Sequence, residues 1–213
     1  MDNILSTLPA LWQGFQVTLQ LFAITLLLSV PLGLGLALVR VSRWRFCGAL
    51  VNGYIWLMRG TPLMLQIFFI YFALPNIGVA LPGFVTAVIA FALNYAAYFA
   101  EIFRAGIQSI DKGQHEGARV LGFTYAQTMR RIVLPQVFKR ILPPISNETI
   151  TLVKDTSLIY VLALNDLMRA ARMLVSRDFD TTPFVVAAAF YLLMTLLLTW
   201  AFQRLEKHYA IYD

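Results

Sequence analysis

The segment EGARVLGFTYAQTMRRIVLPQ, from Glu116 to Gln136, is polar and basic, whereas the sequence on both sides of it is almost continuously apolar. Hydrophobic residues make up 59% of the chain and charged residues 13%, whereas about a quarter of an ordinary soluble domain is charged. The composition therefore predicts an integral membrane protein. The net charge of +6 predicts membrane orientation and not nucleic-acid binding, because Lys and Arg fall in short loops between apolar runs.

Five apolar runs are long enough to cross a bilayer, whose core needs about 20 helical residues. We predict an all-α protein of five transmembrane helices, at residues 12–39, 51–74, 84–103, 141–164 and 183–203. Basic residues follow the first run (Arg40, Arg43, Arg45), fill the loop 104–140 and follow the last run. The positive-inside rule then places the N-terminus outside and the C-terminus in the cytoplasm. Residues 1–11 lack the basic start of a cleaved signal peptide, so we expect the first helix to be retained.

The chain shows no internal repeat and no linker, so we expect one transmembrane domain covering residues 1–213 with a cytoplasmic loop at about 104–140. The single Cys47 has no metal-ligand neighbours, and we expect no metal site.

Capping residues predict two short helices in the cytoplasmic loop. Ser109 or Asp111 can begin the first, and Gly122 stands where it would end in a left-handed conformation. Thr124 and Gln127 have the spacing of a capping box for the second helix, which Pro135 is expected to end. The corner also carries apolar residues, among them Val120 and Leu121, which would be exposed to water unless another protein packed against them. The alternative is an amphipathic loop lying on the lipid surface.

The loop resembles the signature of permease subunits of ABC importers, E-A-A-x3-G-x9-I-x-L-P. The matching residues are Glu116, Gly117, Ala118, Gly122, Ile132, Leu134 and Pro135, with Gly117 in place of the usual alanine. The stretches RGTPLMLQ (59–66) and KDTSL (154–158) are similar to the polar amino acid branch of that family, which takes up histidine, glutamine or arginine.

The resemblance implies a permease that cannot work alone. A nucleotide-binding G-x-x-x-x-G-K-[ST] loop is absent from the sequence, so we expect ATP and Mg to be used by a separate ATPase, no cofactor bound by this chain, and no enzyme activity of its own. The expected partners are a cytoplasmic ATPase dimer, an extracytoplasmic amino acid-binding protein and a second permease, identical or similar, in a bacterial inner membrane. The expected ATPase-docking residues are Glu116, Gly117, Ala118, Arg119, Leu121 and Gly122.

Polar residues inside the apolar runs predict the translocation path, since they are costly in lipid and usually face protein or water. Three helices contribute candidates for substrate binding: Thr61 and Gln66; Asn94, Tyr98 and Glu101; and Glu148, Thr151 and Asp155. The last two groups have helical spacing that puts each on one face.

Structural interpretations compete with substrate binding at several of these positions. Glu101 can pair with Arg104 three residues on, and Lys154 can neutralise Asp155. Asn94 and Gln66 can form hydrogen bonds between helices, and Arg59 can anchor the inner interface.

Acids outnumber bases within the predicted spans, which favours a basic amino acid as substrate, with glutamine left open. An ATP-independent secondary transporter or channel, with Glu148 and Asp155 as an ion relay, is the main alternative function. A membrane enzyme is disfavoured, because His115 and His208 lie outside the spans and no nucleophile and base are paired.

Overall fold

The computed structural model describes residues 2–42 and 44–209, with side chains from residue 6 onward, and Arg43 lies outside this part. The described residues form helices and turns and contain no strand, as expected for an all-α protein. The α-helices are α1 (Asp2–Val41), α2 (Arg45–Gly60), α3 (Leu63–Phe68), α4 (Gly83–Gln108), α5 (Lys112–Val120), α6 (Tyr125–Thr128), α7 (Leu134–Asp155), α8 (Leu167–Asp178) and α9 (Thr182–Tyr209). π-Helical segments cover Phe69–Ala73 and Met129–Val133, and 3-10 segments cover Leu74–Ile77 and Thr156–Leu162.

Helix α4 lies at the centre of the bundle. In its most apolar window 61% of residues are buried, against 22% in α1 and 11% in α9, whose outer faces are apolar and exposed. Helices α1 and α4 pack very closely at Gly33, where an added Cβ would lie 2.7 Å from the Phe99 Cβ and 2.9 Å from the Ala96 carbonyl oxygen. The small residue lets the two backbones approach, as is common between membrane helices.

Three described helices, α1, α4 and α9, are long and apolar enough to cross a membrane, and a fourth span results if α2 and α3 are taken as one broken span. The axis bends by 105° between α2 and the segment Leu63–Ile77. Pro62 has no backbone donor for a continuing helix and stands at this break, with Thr61 in an extended conformation. The second apolar run is therefore broken at Thr61 and Pro62.

Helix α7 and the 3-10 segment after it correspond to the predicted fourth span. Helix α7 contains charged residues and is less apolar than α1, α4 and α9. Its length and composition alone therefore do not identify it as a membrane span.

The predicted corner of the loop 104–140 is present. Asp111 caps α5, accepting a hydrogen bond from the Gly113 amide at 2.6 Å, and Gly122 follows the helix with φ +77°. Thr124 and Gln127 form the predicted capping box at the start of α6.

The prediction that Pro135 ends the second loop helix is wrong. The backbone stays helical from α6 through the π-helical segment into α7. Pro135 directly follows the π-helical segment Met129–Val133, whose wider turn replaces the regular α-helical hydrogen-bond pattern that a proline would otherwise interrupt.

Helix α8 was not predicted from the sequence. The buried Asp166 caps it, accepting hydrogen bonds from the amides of Met168 at 3.0 Å and Arg169 at 3.3 Å. The helix ends at Asp178 and is followed by Phe179, which has φ +52° and is 94% exposed.

Candidate functional site

A cavity of about 490 Å³ lies between the broken helix, α4 and α7. Its volume falls in the range of ligand pockets, about 300 to 1,000 Å³. Six of the proposed substrate-binding residues line it: Thr61, Asn94, Tyr98, Glu148, Thr151 and Asp155. The helical spacing that grouped Glu148, Thr151 and Asp155 thus corresponds to a shared surface in the structure.

Asp155, at the end of α7, accepts a hydrogen bond from a residue of α4. Tyr95 donates its hydroxyl to the Oδ2 atom of Asp155 over 2.7 Å, and the Tyr95 ring is buried against Phe91. This bond fixes the orientation of the carboxyl group, leaving its other oxygen for further partners.

A positive charge faces the same cavity. Arg59, the penultimate residue of α2, lies over the ring of Tyr98 with its guanidinium carbon 5.2 Å from the ring centroid. Arg59, Glu148 and Asp155 all line the cavity, so it presents both signs of charge within an apolar bundle.

Gln66 and Glu101 lie outside this cavity. The Gln66 amide nitrogen donates to the Met58 carbonyl at 2.9 Å and to the Thr61 hydroxyl at 2.8 Å. Asn94 donates to the same Met58 carbonyl at 2.9 Å and to the Gln66 side-chain oxygen at 3.1 Å. These bonds span the break between α2 and α3, so Gln66 and Asn94 hold the broken helix to α4.

Glu101 forms ion pairs with Arg40 at the end of α1 and with Arg104 on its own helix. The pairing of Glu101 with Arg104 is the structural interpretation weighed from the sequence, and Arg40 is a partner that the sequence did not indicate.

Sequence reasoning missed Arg59 and Tyr95 as cavity residues. Arg59 carried a usable signal, because a charged side chain beside a helix break in an apolar run is a candidate for a functional site. Tyr95 lies three residues before Tyr98, so helical spacing could have placed it on the same face of α4. Its contact with Asp155 depends on the packing of α4 against α7, which no local pattern encodes.

The loop corner presents an apolar surface to water. Val120, Leu121 and Tyr125 are 88%, 75% and 76% exposed. Of the proposed docking residues Glu116, Gly117, Arg119, Leu121 and Gly122 are exposed, whereas Ala118 is buried. Exposed apolar side chains grouped at a corner are typical of a surface that another protein covers.

A charged cavity inside an apolar helical bundle, together with an exposed apolar loop corner, is typical of a membrane transport subunit. Residues 29–211 match the family described as binding-protein-dependent transport system inner membrane component. The chain belongs to this family and is a multi-pass protein of the bacterial inner membrane.

Individual relatives agree with this assignment. The chain is 38% identical to the arginine transport system permease protein ArtQ of Bacillus subtilis, over 94% of this chain and 92% of the relative. It is 41% identical to the probable glutamine ABC transporter permease protein GlnM of the same organism, over 91% and 90%. A crystal structure of an amino acid ABC transporter with histidines superimposes with a TM-score of 0.90 and 36% identity, over 96% of both chains.

Proposed function

We propose that this chain is the permease subunit of an ATP-driven importer of amino acids, with a preference for basic ones. The observation that carries the proposal is the cavity in which Arg59 faces the same space as Glu148 and Asp155. A zwitterion brings one carboxylate and one ammonium group, and this cavity offers a partner for each.

Each charged group has a defined task. The Arg59 guanidinium matches the carboxylate of the substrate, since a planar fork of donors suits carboxylate geometry. One of the two acids on α7 binds the α-ammonium group, and the second accepts a cationic side chain. This second acid supports the preference for basic substrates, in line with the name of the arginine permease relative.

The family, whose members depend on a binding protein, comprises transport components whose ATPase is a separate chain. For this chain we propose five spans with the N-terminus outside and pairing with itself or a similar permease. An ATPase dimer docks on the corner formed by Glu116, Gly117, Ala118, Arg119, Leu121 and Gly122, and it alone binds ATP and Mg. An extracytoplasmic binding protein delivers the amino acid.

Side-chain hydrogen bonds connect the loop to α7, the helix that carries the acids of the cavity. The Gln136 amide at the start of α7 donates to the Gln114 side chain on α5 at 3.2 Å. Arg140, further along α7, donates to the Ser109 carbonyl and to the Ser109 hydroxyl at the end of α4. A displacement of α5 therefore acts directly on the helix that carries Glu148 and Asp155, which supports alternating access driven by the docked ATPase.

Reconstitution tests the proposal. The chain is inserted into liposomes with its partner ATPase and binding protein, and uptake of radiolabelled L-arginine and L-glutamine is measured with and without ATP. We expect ATP-dependent uptake that Gly122→Asp abolishes without loss of membrane insertion. Uptake by the purified chain alone under an ion gradient would instead support a secondary transporter, and normal uptake by Gly122→Asp would remove the docking corner from the mechanism.

A further inference from the structure

A second cavity, of about 350 Å³, adjoins the central one and shares Arg59 and Gly60 with it. Its other polar lining residues are Arg40, Asn52 and Glu101. Arg40 is in the last turn of α1, and Glu101 lies further along α4 than the central-cavity residues Asn94 and Tyr98. The second cavity is therefore nearer to the end of α4 that leads into the cytoplasmic loop.

We propose that this second cavity is a transit site for the amino acid, and that the Arg59 side chain is the gate between the two cavities. The proposal rests on the proposed function, because it takes the amino acid as the ligand of the central cavity.

The second cavity has partners for both ends of a zwitterion. Glu101 accepts hydrogen bonds from Arg40 and from Arg104. An arriving amino acid can exchange this ion pair for two others, its carboxylate with Arg40 and its ammonium with Glu101. Arg104 continues to hold Glu101 during the exchange, so no charge is left unpaired in a partly buried site.

The position of Arg59 lets its side chain open and close the passage between the two cavities. It is exposed and rests on the Tyr98 ring, and it precedes the break at Gly60, Thr61 and Pro62, where the helix axis turns by 105°. A guanidinium held by a ring face is exchanged readily for a carboxylate, which binds it bidentately. Binding of the substrate carboxylate to Arg59 therefore draws the guanidinium off Tyr98 and removes the wall between the cavities.

Efflux without ATP tests the gate. Liposomes containing the complete transporter are loaded with radiolabelled L-arginine, and efflux is followed for Arg59→Ala and for Arg204→Ala. Arg204 is a matched control, because its guanidinium carbon also lies over an aromatic ring, 5.0 Å from the Trp200 centroid, and it lines neither cavity. We expect Arg59→Ala to release L-arginine about two- to fivefold faster than the control, since losing an exposed cation–π contact changes an equilibrium by roughly this factor. Equal efflux from the two assembled variants would overturn the gate.

Cysteine labelling tests the transit site without altering Arg59. In a Cys47→Ala background, Asn52→Cys is labelled by a charged methanethiosulfonate reagent during ATP turnover, with and without saturating L-arginine. Asn76→Cys, in the 3-10 segment Leu74–Ile77 and exposed, is the control. We expect L-arginine to slow labelling at position 52 and not at position 76. Labelling at position 52 that L-arginine leaves unchanged would overturn the transit site.

The two proposals fail in different ways. Absence of ATP-driven L-arginine and L-glutamine uptake by the wild-type transporter contradicts the proposed function. Normal wild-type uptake of L-arginine, with neither leak nor protection in the variants, contradicts only the transit site and its gate.

Discussion

The hydroxyl of Tyr95 on α4 donates to the Oδ2 atom of Asp155 at the end of α7, over 2.7 Å. Tyr95 is 1% exposed, so the central helix reaches the cavity through a buried side chain that orients an acid of the proposed binding site.

The first prediction concerns Tyr95→Phe. The change keeps the buried ring and removes the hydrogen bond, so we expect the free energy of unfolding to fall by about 1 to 3 kcal/mol. Apparent affinity for L-arginine should fall as well, because the Asp155 carboxyl loses its fixed orientation. Thermal unfolding in detergent and ligand-stimulated ATPase activity measure the two effects.

The control for that variant is Tyr54→Phe. Tyr54 also donates to another helix, at 2.5 Å to the Leu93 carbonyl, but it does not line the cavity. It should lose stability and keep its affinity for L-arginine. An equal loss of affinity in both variants would contradict a specific role for the Tyr95 bond.

The second prediction compares two glycines of α1. An alanine Cβ at Gly33 would lie within 3.0 Å of three atoms of α4, whereas one at Gly35 meets nothing within 4 Å. We expect Gly33→Ala to lower the free energy of unfolding by about 1 to 3 kcal/mol through overpacking. Gly35→Ala should be neutral or stabilising by up to about 1 kcal/mol, because alanine favours the helix. Similar melting temperatures for the two variants would argue against close packing of α1 on α4.

Much of this architecture could be predicted from local sequence. The apolar runs gave the long helices α1, α4 and α9, because burial in lipid leaves few other solutions for an uncharged run of that length. Gly122 and Thr124 gave the loop corner, because capping chemistry acts over only a few residues. The charged residues of α7 make its sequence less apolar than that of the other spans. The spacing of Glu148 and Asp155 nevertheless predicted that they share one helical face.

The remaining features depend on packing between distant segments. The pairing of Glu101 with Arg40 joins the ends of α1 and α4, and no local pattern encodes it. The role of Gln66 in holding the helix break likewise needs Asn94 from α4 in place. Pro135 misled the prediction because the π-helical segment just before it lets the helix continue past the proline.

The third prediction concerns the loop corner. Gly122 has φ +77°, and a side chain there costs about 1 to 2 kcal/mol, whereas Gly117 is helical with open space around it. We expect trypsin to cleave after Arg119 faster in Gly122→Ala, because the corner opens more often, and more slowly in Gly117→Ala, because alanine stabilises the helix. The opposite order would contradict the left-handed corner.

The fourth prediction is a pH dependence from Asp166, which lies in the connection between α7 and α9. Burial raises the pKa of the Asp166 carboxyl to about 6, from an ordinary value near 3.8. An acid with a raised pKa in the folded state stabilises the fold when protonated, and this contribution is lost as pH rises from about 4 through 6.

Asp166→Asn isolates this effect, since asparagine also caps helices but does not titrate. Between pH 4 and pH 7 the wild type should lose roughly 2 to 3 kcal/mol of unfolding free energy relative to the variant. Thermal unfolding of both proteins across this range is the measurement. Parallel pH profiles would contradict the buried carboxyl as the cause.

The most direct test of the central claim is equilibrium binding of radiolabelled L-arginine to the assembled transporter carrying Glu148→Gln or Asp155→Asn. Loss of a charged partner should raise the dissociation constant about tenfold or more in each variant. Glu206→Gln, the same exchange on α9 away from the cavity, should bind like the wild type. A dissociation constant unchanged in both cavity variants would contradict the proposal that these acids bind the amino acid.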